Sequence, residues 1–155
     1  MESTYKVFIS YRRNGGSEKA QLIKSEIKLR SIGNEQIFLD THSLHDGDFE
    51  HKIKVAISQS ESVAVIISSG CFDEIKETDF WYMEIKEALV QEKKIIPVFF
   101  DGISSFEGLK IPEELKELKR KNAVTYQHHE YRAACGTAWR HEGKLSFWRN
   151  ISKYD

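Results

Sequence analysis

The residues with the most chemistry to offer are Glu84 and the aromatic run that precedes it, Phe80-Trp81-Tyr82. In a helix over this stretch, Phe80, Glu84 and Ala88 share one face, because residues four apart stack one turn above each other. Trp81, Ile85 and Leu89 form an adjoining apolar stripe suited to packing on a sheet. Glu84 then falls at the seam between that stripe and solvent. A carboxylate walled by aromatic rings loses hydration, which tends to raise its pKa. Such groups mark sites only in a statistical sense, and a rim acid above a packed core is the plainer reading. The other reactive stretch is Ser10-Tyr11-Arg12-Arg13. Arginine forks suit phosphate, aromatic faces suit a planar ring, and a carboxylate suits a ribose diol or a developing cation.

Other chemistries lack their residues. The chain has no GxxxxGKS/T phosphate cradle, no GxGxxG and no GxSxG, and Gly15-Gly16 alone reads as a loop conformation. A magnesium-holding phosphoreceiver needs acids after the first strand, where this chain has arginines. The six His include His128 and His129 but form no HExxH and no Cys/His pairing, so neither a metal site nor a cofactor is expected. Cys71 and Cys135 are too few for a disulfide framework, which points to a reducing, cytoplasmic setting. A net charge of -1 gives no general pull toward nucleic acid or a membrane surface. No apolar run approaches the roughly 20 residues that span a bilayer, and Met1-Glu2-Ser3-Thr4 lacks a signal-peptide layout.

The elements that must position these residues alternate in type. Tyr5 to Ser10 is a buried first strand, and Ser17 is a fair N-cap for a helix from Glu18 to about Ser31, ended by Gly33-Asn34. Gln36 to Asp40 is a second strand, and a polar loop from Thr41 leads to Gly47. Asp48 can cap a helix carrying Phe49, Ile53, Ala56 and Ile57. Ser62 to Ser68 is the most continuous apolar run, as in a central parallel strand covered on both faces. The Phe80 helix follows, then a fourth strand, Lys94 to Phe100, in which Pro97 suggests a place near the sheet edge. Pro112 to Lys119 reads as a short helix with Pro112 in its first turn, and Asn122 to Tyr126 as a fifth strand. At 155 residues, without linker or repeat, this is one domain, residues 1–155. The fold class is α/β, a flavodoxin-like three-layer sandwich around a central five-stranded parallel sheet. Ligands bind such sheets beyond the carboxyl ends of the strands, at a switch in strand order. That rule selects Ser10 to Gly16, Asp40 to Gly47, Ser68 to Phe72 and Phe100 to Phe106.

In order and at similar spacing, several segments resemble the successive motifs of a Toll/interleukin receptor (TIR) domain. These are Val7 to Asn14, then Phe38-Leu39-Asp40 with Leu44, Gly47 and Phe49-Glu50, then Val63 to Ser68, then Glu84-Ile85 with Ala88-Leu89. The likeness covers about residues 5 to 131, and Phe147-Trp148 resembles the Phe-Trp box near the end of many TIR domains. Within the family, Ser10 to Asn14 and His129-Glu130-Tyr131 look most like the NAD-cleaving members, those of bacterial immune effectors and of animal axon-degeneration hydrolases.

The resemblance implies cleavage of the nicotinamide–ribose bond of NAD+, as substrate rather than cofactor, giving ADP-ribose or a cyclic isomer. It makes Glu84 the catalytic carboxylate. Ser10, Tyr11, Arg12, Arg13, Asp40, Ser43, Phe80 and Trp81 become substrate contacts, with Phe80 where the family's motif has tryptophan and Trp81 one residue later. Leu44, His45, Asp46 and Gly47 correspond to the BB loop, which in this family mediates self-association. Other TIR protomers, and a fused or separate sensor module, are the partners implied, in anti-phage or cell-death immune signalling. The competing expectation is a non-enzymatic TIR adaptor that acts through the BB loop.

Overall fold

A computed structural model describes residues 5–28, 37–38 and 48–126. The expectations for the end of the first helix, the loop from Thr41 to Gly47 and the segment from His128 through Phe147-Trp148 lie outside them. The elements run β1 (Tyr5–Ser10), α1 (Arg13–Lys28), β2 (Ile37–Phe38), α2 (Phe49–Ser58), β3 (Ser60–Ile67), α3 (Phe80–Val90), β4 (Lys94–Phe99), a 3-10 helix (Glu113–Arg120) and β5 (Val124–Thr125). The five strands form one parallel sheet in the order β2-β1-β3-β4-β5, as the alternation of strands and helices predicts. The order reverses between β1 and β3, so the carboxyl ends of those two strands bound the crevice of a doubly wound sheet. Among the described residues, no helix is long and apolar enough to cross a membrane.

Alternation along the strands sorts the core into two layers. Val7 and Ile9 of β1, Ala64 and Ile66 of β3, and Ile96 and Val98 of β4 pack with Ala20 and Ile23 of α1. Phe8, Val63, Val65, Ile67, Ile95 and Phe99 face the opposite way, onto Ile53 and Ile57 of α2, Trp81 and Ile85 of α3, and Leu115 and Leu118 of the 3-10 helix. Each Val, Leu, Ile or Phe among them contributes roughly 1.5–3 kcal/mol on withdrawal from water before entropy is counted. β3 lies at the centre of the sheet, which accounts for its unbroken apolar run.

Three local expectations are corrected. α1 begins at Arg13 rather than Glu18, and its first turn closes with the Gly16 N–H donating to the Arg12 carbonyl at 3.0 Å. Ser17 is therefore inside the helix and caps nothing. Gly15 has φ +86°, and that left-handed geometry lets an irregular turn start the helix where a glycine pair reads as loop. Pro112 stands at the N-cap of a 3-10 helix, one residue before its first turn. Asp48 occupies the N-cap of α2, but its side chain makes no cap hydrogen bond. Pro97 pairs with Val65 of β3. The Phe99 carbonyl accepts from Tyr126 on the β5 side, and residues two apart in a strand present their backbone to the same neighbour. Proline's missing donor thus faces the side of β5, ahead of the stretch that β5 covers, one strand in from the edge.

The outer side of α3 is tied to the 3-10 helix by polar contacts. The Tyr82 hydroxyl donates to Glu114 Oε2 at 2.6 Å, and Lys86 Nζ lies 3.0 Å from the same oxygen. The hydrogen bond to Glu114, and then burial, push the Tyr82 phenol up to about 12, while the same bond holds the Glu114 carboxyl below its ordinary value. Raised in the folded state, the Tyr82 pKa adds stability that is complete below pH about 10 and lost as pH rises toward 12. Lowered, the Glu114 pKa adds stability present above its unfolded value near 4.5 and lost as pH falls through the folded one. A spectrophotometric phenolate titration should therefore show a late-ionising tyrosine that moves to lower pH in Glu114→Gln. An unchanged titration curve in that variant would exclude the Glu114 charge as a cause of the late ionisation.

Candidate functional site

At the carboxyl end of β1, alternation directs Ser10 to the same face as Phe8, the face covered by α2 and α3. On α3 the buried positions are Trp81, Tyr82, Glu84, Ile85 and Ala88, so Glu84 lies within the apolar stripe. It is 7% exposed, not the half-solvated seam residue expected, because the helix is rotated to bring residues 84 and 88 inward. The two elements meet in one contact. Ser10 Oγ, itself fully buried, donates to Glu84 Oε2 at 2.8 Å. A buried carboxylate is costly without hydrogen bonds, and this hydroxyl supplies one.

The two arginines after β1 have different surroundings. Arg12 Nη1 donates to the carbonyls of Cys71 at 2.9 Å and Asp73 at 2.6 Å, and Nη2 lies 3.6 Å from Asp79 Oδ2. Asp79 is the N-cap residue of α3, and its carboxylate also accepts from the Lys76 N–H at 3.0 Å. The Arg12 guanidinium thus clasps the turns between β3 and α3 and sets where the Glu84 helix begins. Arg13, one residue on and exposed, places its guanidinium 5.5 Å from the centroid of the Phe80 ring. Such a cation–π contact near the surface is worth about 0.5–1 kcal/mol, weak enough to exchange for another partner.

The aromatic residues divide in the same way. Phe80 is half-buried, edge-on to Phe49 of α2 with centroids 4.8 Å apart. Trp81 is 2% exposed, packs on Phe72 at 5.0 Å and belongs to the core, so its ring is not presented to a ligand. Among the described residues its indole Nε1 is buried without a hydrogen-bond partner. Tyr11 is half-buried against the α1 layer, its Cβ 3.3 Å from where a side chain on Gly16 would begin. Asp40, Ser43, Leu44, His45, Asp46 and Gly47 lie outside the described residues.

Tertiary structure adds residues that motif reading does not single out. Asp101 Oδ2 accepts from the Ser69 N–H at 2.9 Å and lies 3.5 Å from Lys19 Nζ, which fastens the loops after β3 and β4 to α1. Phe49, already part of the motif series with Glu50, gains from the structure its edge-on contact with the Phe80 ring. Burial pushes the Cys71 thiol up to about 11, which keeps it neutral and a poor nucleophile. No group of three or more His, Cys, Asp or Glu among the described residues is placed to hold a metal. A separate open groove of about 300 Å³, on the outer side of α2 and α3, is lined by Glu50, Ile53, Tyr82, Met83 and Val90 among others and does not include Glu84.

The arrangement is a buried, hydrogen-bonded carboxylate at the switch point of a parallel sheet, beside a half-exposed ring and an exchangeable guanidinium. It can stabilise positive charge developing on a ligand held at that edge.

Comparison with known proteins gives the family of the chain. A family model described as TIR domain matches residues 7–137. The zebrafish (Danio rerio) protein named NAD(+) hydrolase SARM1 is 30% identical over 132 residues, covering 83% of this chain and 18% of that protein. The Drosophila melanogaster protein named NAD(+) hydrolase sarm1 is 29% identical over 139 residues, covering 87% of this chain and 10% of that protein. The chain thus spans 10% to 18% of the length of these two curated relatives. Among solved structures, the TIR domain of the Toll-related receptor TRR-2 from Hydra magnipapillata superposes with a TM-score of 0.59 at 18% identity, covering 96% of this chain and 98% of that one.

Proposed function

The chain belongs to the TIR-domain family, and from that premise we propose that it cleaves NAD+ at the bond between nicotinamide and ribose. The observation that carries this reading is Glu84, a carboxylate 7% exposed at the carboxyl edge of the sheet. The names of the relatives, NAD(+) hydrolases at about 30% identity, support it. In the proposed reaction the C1′–N bond breaks and its electron pair goes to the pyridinium nitrogen. Nicotinamide leaves neutral, without need of a general acid. The ribosyl carbon becomes oxocarbenium-like, and the Glu84 anion offsets that charge. Water attacking C1′ and losing a proton gives ADP-ribose; attack by the substrate's own adenine or ribose gives a cyclic isomer.

Phe80 is the ring proposed to seat nicotinamide, with Trp81 supporting it from the core rather than touching it. Of the two arginines, Arg13 is the proposed diphosphate ligand. Its contact with Phe80 is weak and exposed, so an arriving ring can replace it and free the guanidinium for phosphate. Arg12, held by two carbonyls and near Asp79, serves the site by fixing the start of α3. Asp40, Ser43 and the BB-loop residues remain part of the proposal as substrate and self-association contacts, with a second TIR protomer completing the assembly.

An HPLC time course with NAD+, at high protein concentration or with a crowding agent, should show nicotinamide accumulating. If none appears under any assembling condition, the enzymatic reading fails and an adaptor acting through TIR–TIR contacts takes its place.

A further inference from the structure

We propose that Ser10 is a positioning residue for Glu84 rather than a substrate contact, a refinement that rests on the NAD+-cleavage reading. Its hydroxyl is fully buried, so a ligand at the sheet edge does not reach it. What it does reach is Glu84 Oε2, at 2.8 Å.

The terminal torsion of a glutamate is broad and roughly two-fold, so packing around the stem leaves the plane of the carboxylate loosely set. A well-placed donor such as Ser10 Oγ fixes it. Ser10 is suited to that task because its own backbone does not move freely: β1 is paired to β2 on one side and β3 on the other, with Ser10 opposite Val65. The hydroxyl therefore carries the rigidity of the sheet to a side chain that hangs from a helix. An anion that stabilises an oxocarbenium must lie on the correct face of the sugar at contact distance, and tilting it weakens the transition state more than the ground state.

A purely structural role, in which Ser10 only satisfies a buried acid, would alter stability and leave turnover intact. Kinetics on Ser10→Ala, Ser10→Thr and Ser10→Val separate the two, since threonine and valine share a shape and differ in the hydroxyl. Ser10→Ala and Ser10→Val should lose about 10- to 100-fold in kcat, with KM for NAD+ within about threefold of the parent. Ser10→Thr should exceed Ser10→Val about tenfold in kcat, whatever cost in packing the two share. The proposal is overturned if Ser10→Ala keeps kcat within about twofold, if the loss appears in KM alone, or if threonine and valine behave alike. Glu84→Gln assayed alongside keeps the two readings apart. A glutamine variant as active as the parent defeats NAD+ cleavage through Glu84 itself, whereas an inactive one beside a fully active Ser10→Ala defeats only the role of Ser10.

Discussion

Replacing Glu84 by glutamine is expected to lower kcat for nicotinamide release by about 10²–10³-fold, the scale seen when a group aimed at developing charge is removed from a closed site. Glutamine keeps the volume and length of the side chain. Its amide oxygen still accepts the Ser10 hydroxyl proton, so the packing of α3 on β1 survives. What disappears is the negative charge. The loss should fall on kcat and kcat/KM together, because an anion matched to an oxocarbenium contributes little to ground-state binding. Thermal unfolding should move by only a few degrees. Glu84→Ala is the less informative variant, because it also opens a cavity and leaves the Ser10 donor unpaired in the interior. A glutamine variant that retains the parent's rate would mean that the buried acid serves the fold alone.

The second large effect is on stability. Trp81→Ala should cost about 3–5 kcal/mol, the range for deleting a large buried aromatic, and lower Tm by about 10 °C or more. Trp81→Phe should cost far less. Phenylalanine keeps much of the contact with Phe72 and removes the buried N–H that has no partner among the described residues, and an unsatisfied buried donor costs about 1–3 kcal/mol. Phe80→Ala, one residue earlier, should do the reverse: a small change in Tm, since the ring is half-exposed, and a marked rise in KM for NAD+ if it seats the nicotinamide. Differential scanning fluorimetry and steady-state kinetics on the three variants decide the matter. Equal losses of stability in Trp81→Ala and Trp81→Phe would show that the indole N–H is satisfied after all.

That contrast marks the limit of what the amino-acid pattern could reveal. The strands were legible because each is a short apolar run between turn residues, and β3, covered on both faces, was the clearest of them. The carboxyl-edge rule then brought Ser10 and the start of the Glu84 helix to the same side of the sheet. The helix's rotation about its own axis was not legible. One residue turns a helix by about 100°, which is the difference between Phe80 at the edge and Trp81 in the core. The same rotation takes Glu84 from the rim to 7% exposure. Neighbours in sequence diverged in the same way after β1: Arg12 turned to the carbonyls of Cys71 and Asp73, Arg13 to the face of Phe80. Only the loop between β3 and α3, some sixty positions along the chain, distinguishes them. The early start of α1 was hidden for a local reason, since a glycine pair ordinarily breaks a helix and here Gly15 takes the left-handed turn that begins one.

Pro97 has a meaning for what happens when many copies of the chain are brought close together. Apart from Pro97, the hexamer Ile95-Ile96-Pro97-Val98-Phe99-Phe100 is uncharged, β-branched and aromatic, the composition of segments that anneal into cross-β fibres when no proline interrupts them. β5 covers only Val98 and Phe99 of it, so the stretch before them meets no described neighbour on that side. There the proline withholds the N–H that an incoming strand would need. A proline at that place is suited to a gatekeeper's part within β4, since it makes this strand a poorer template for misassembly when copies crowd together.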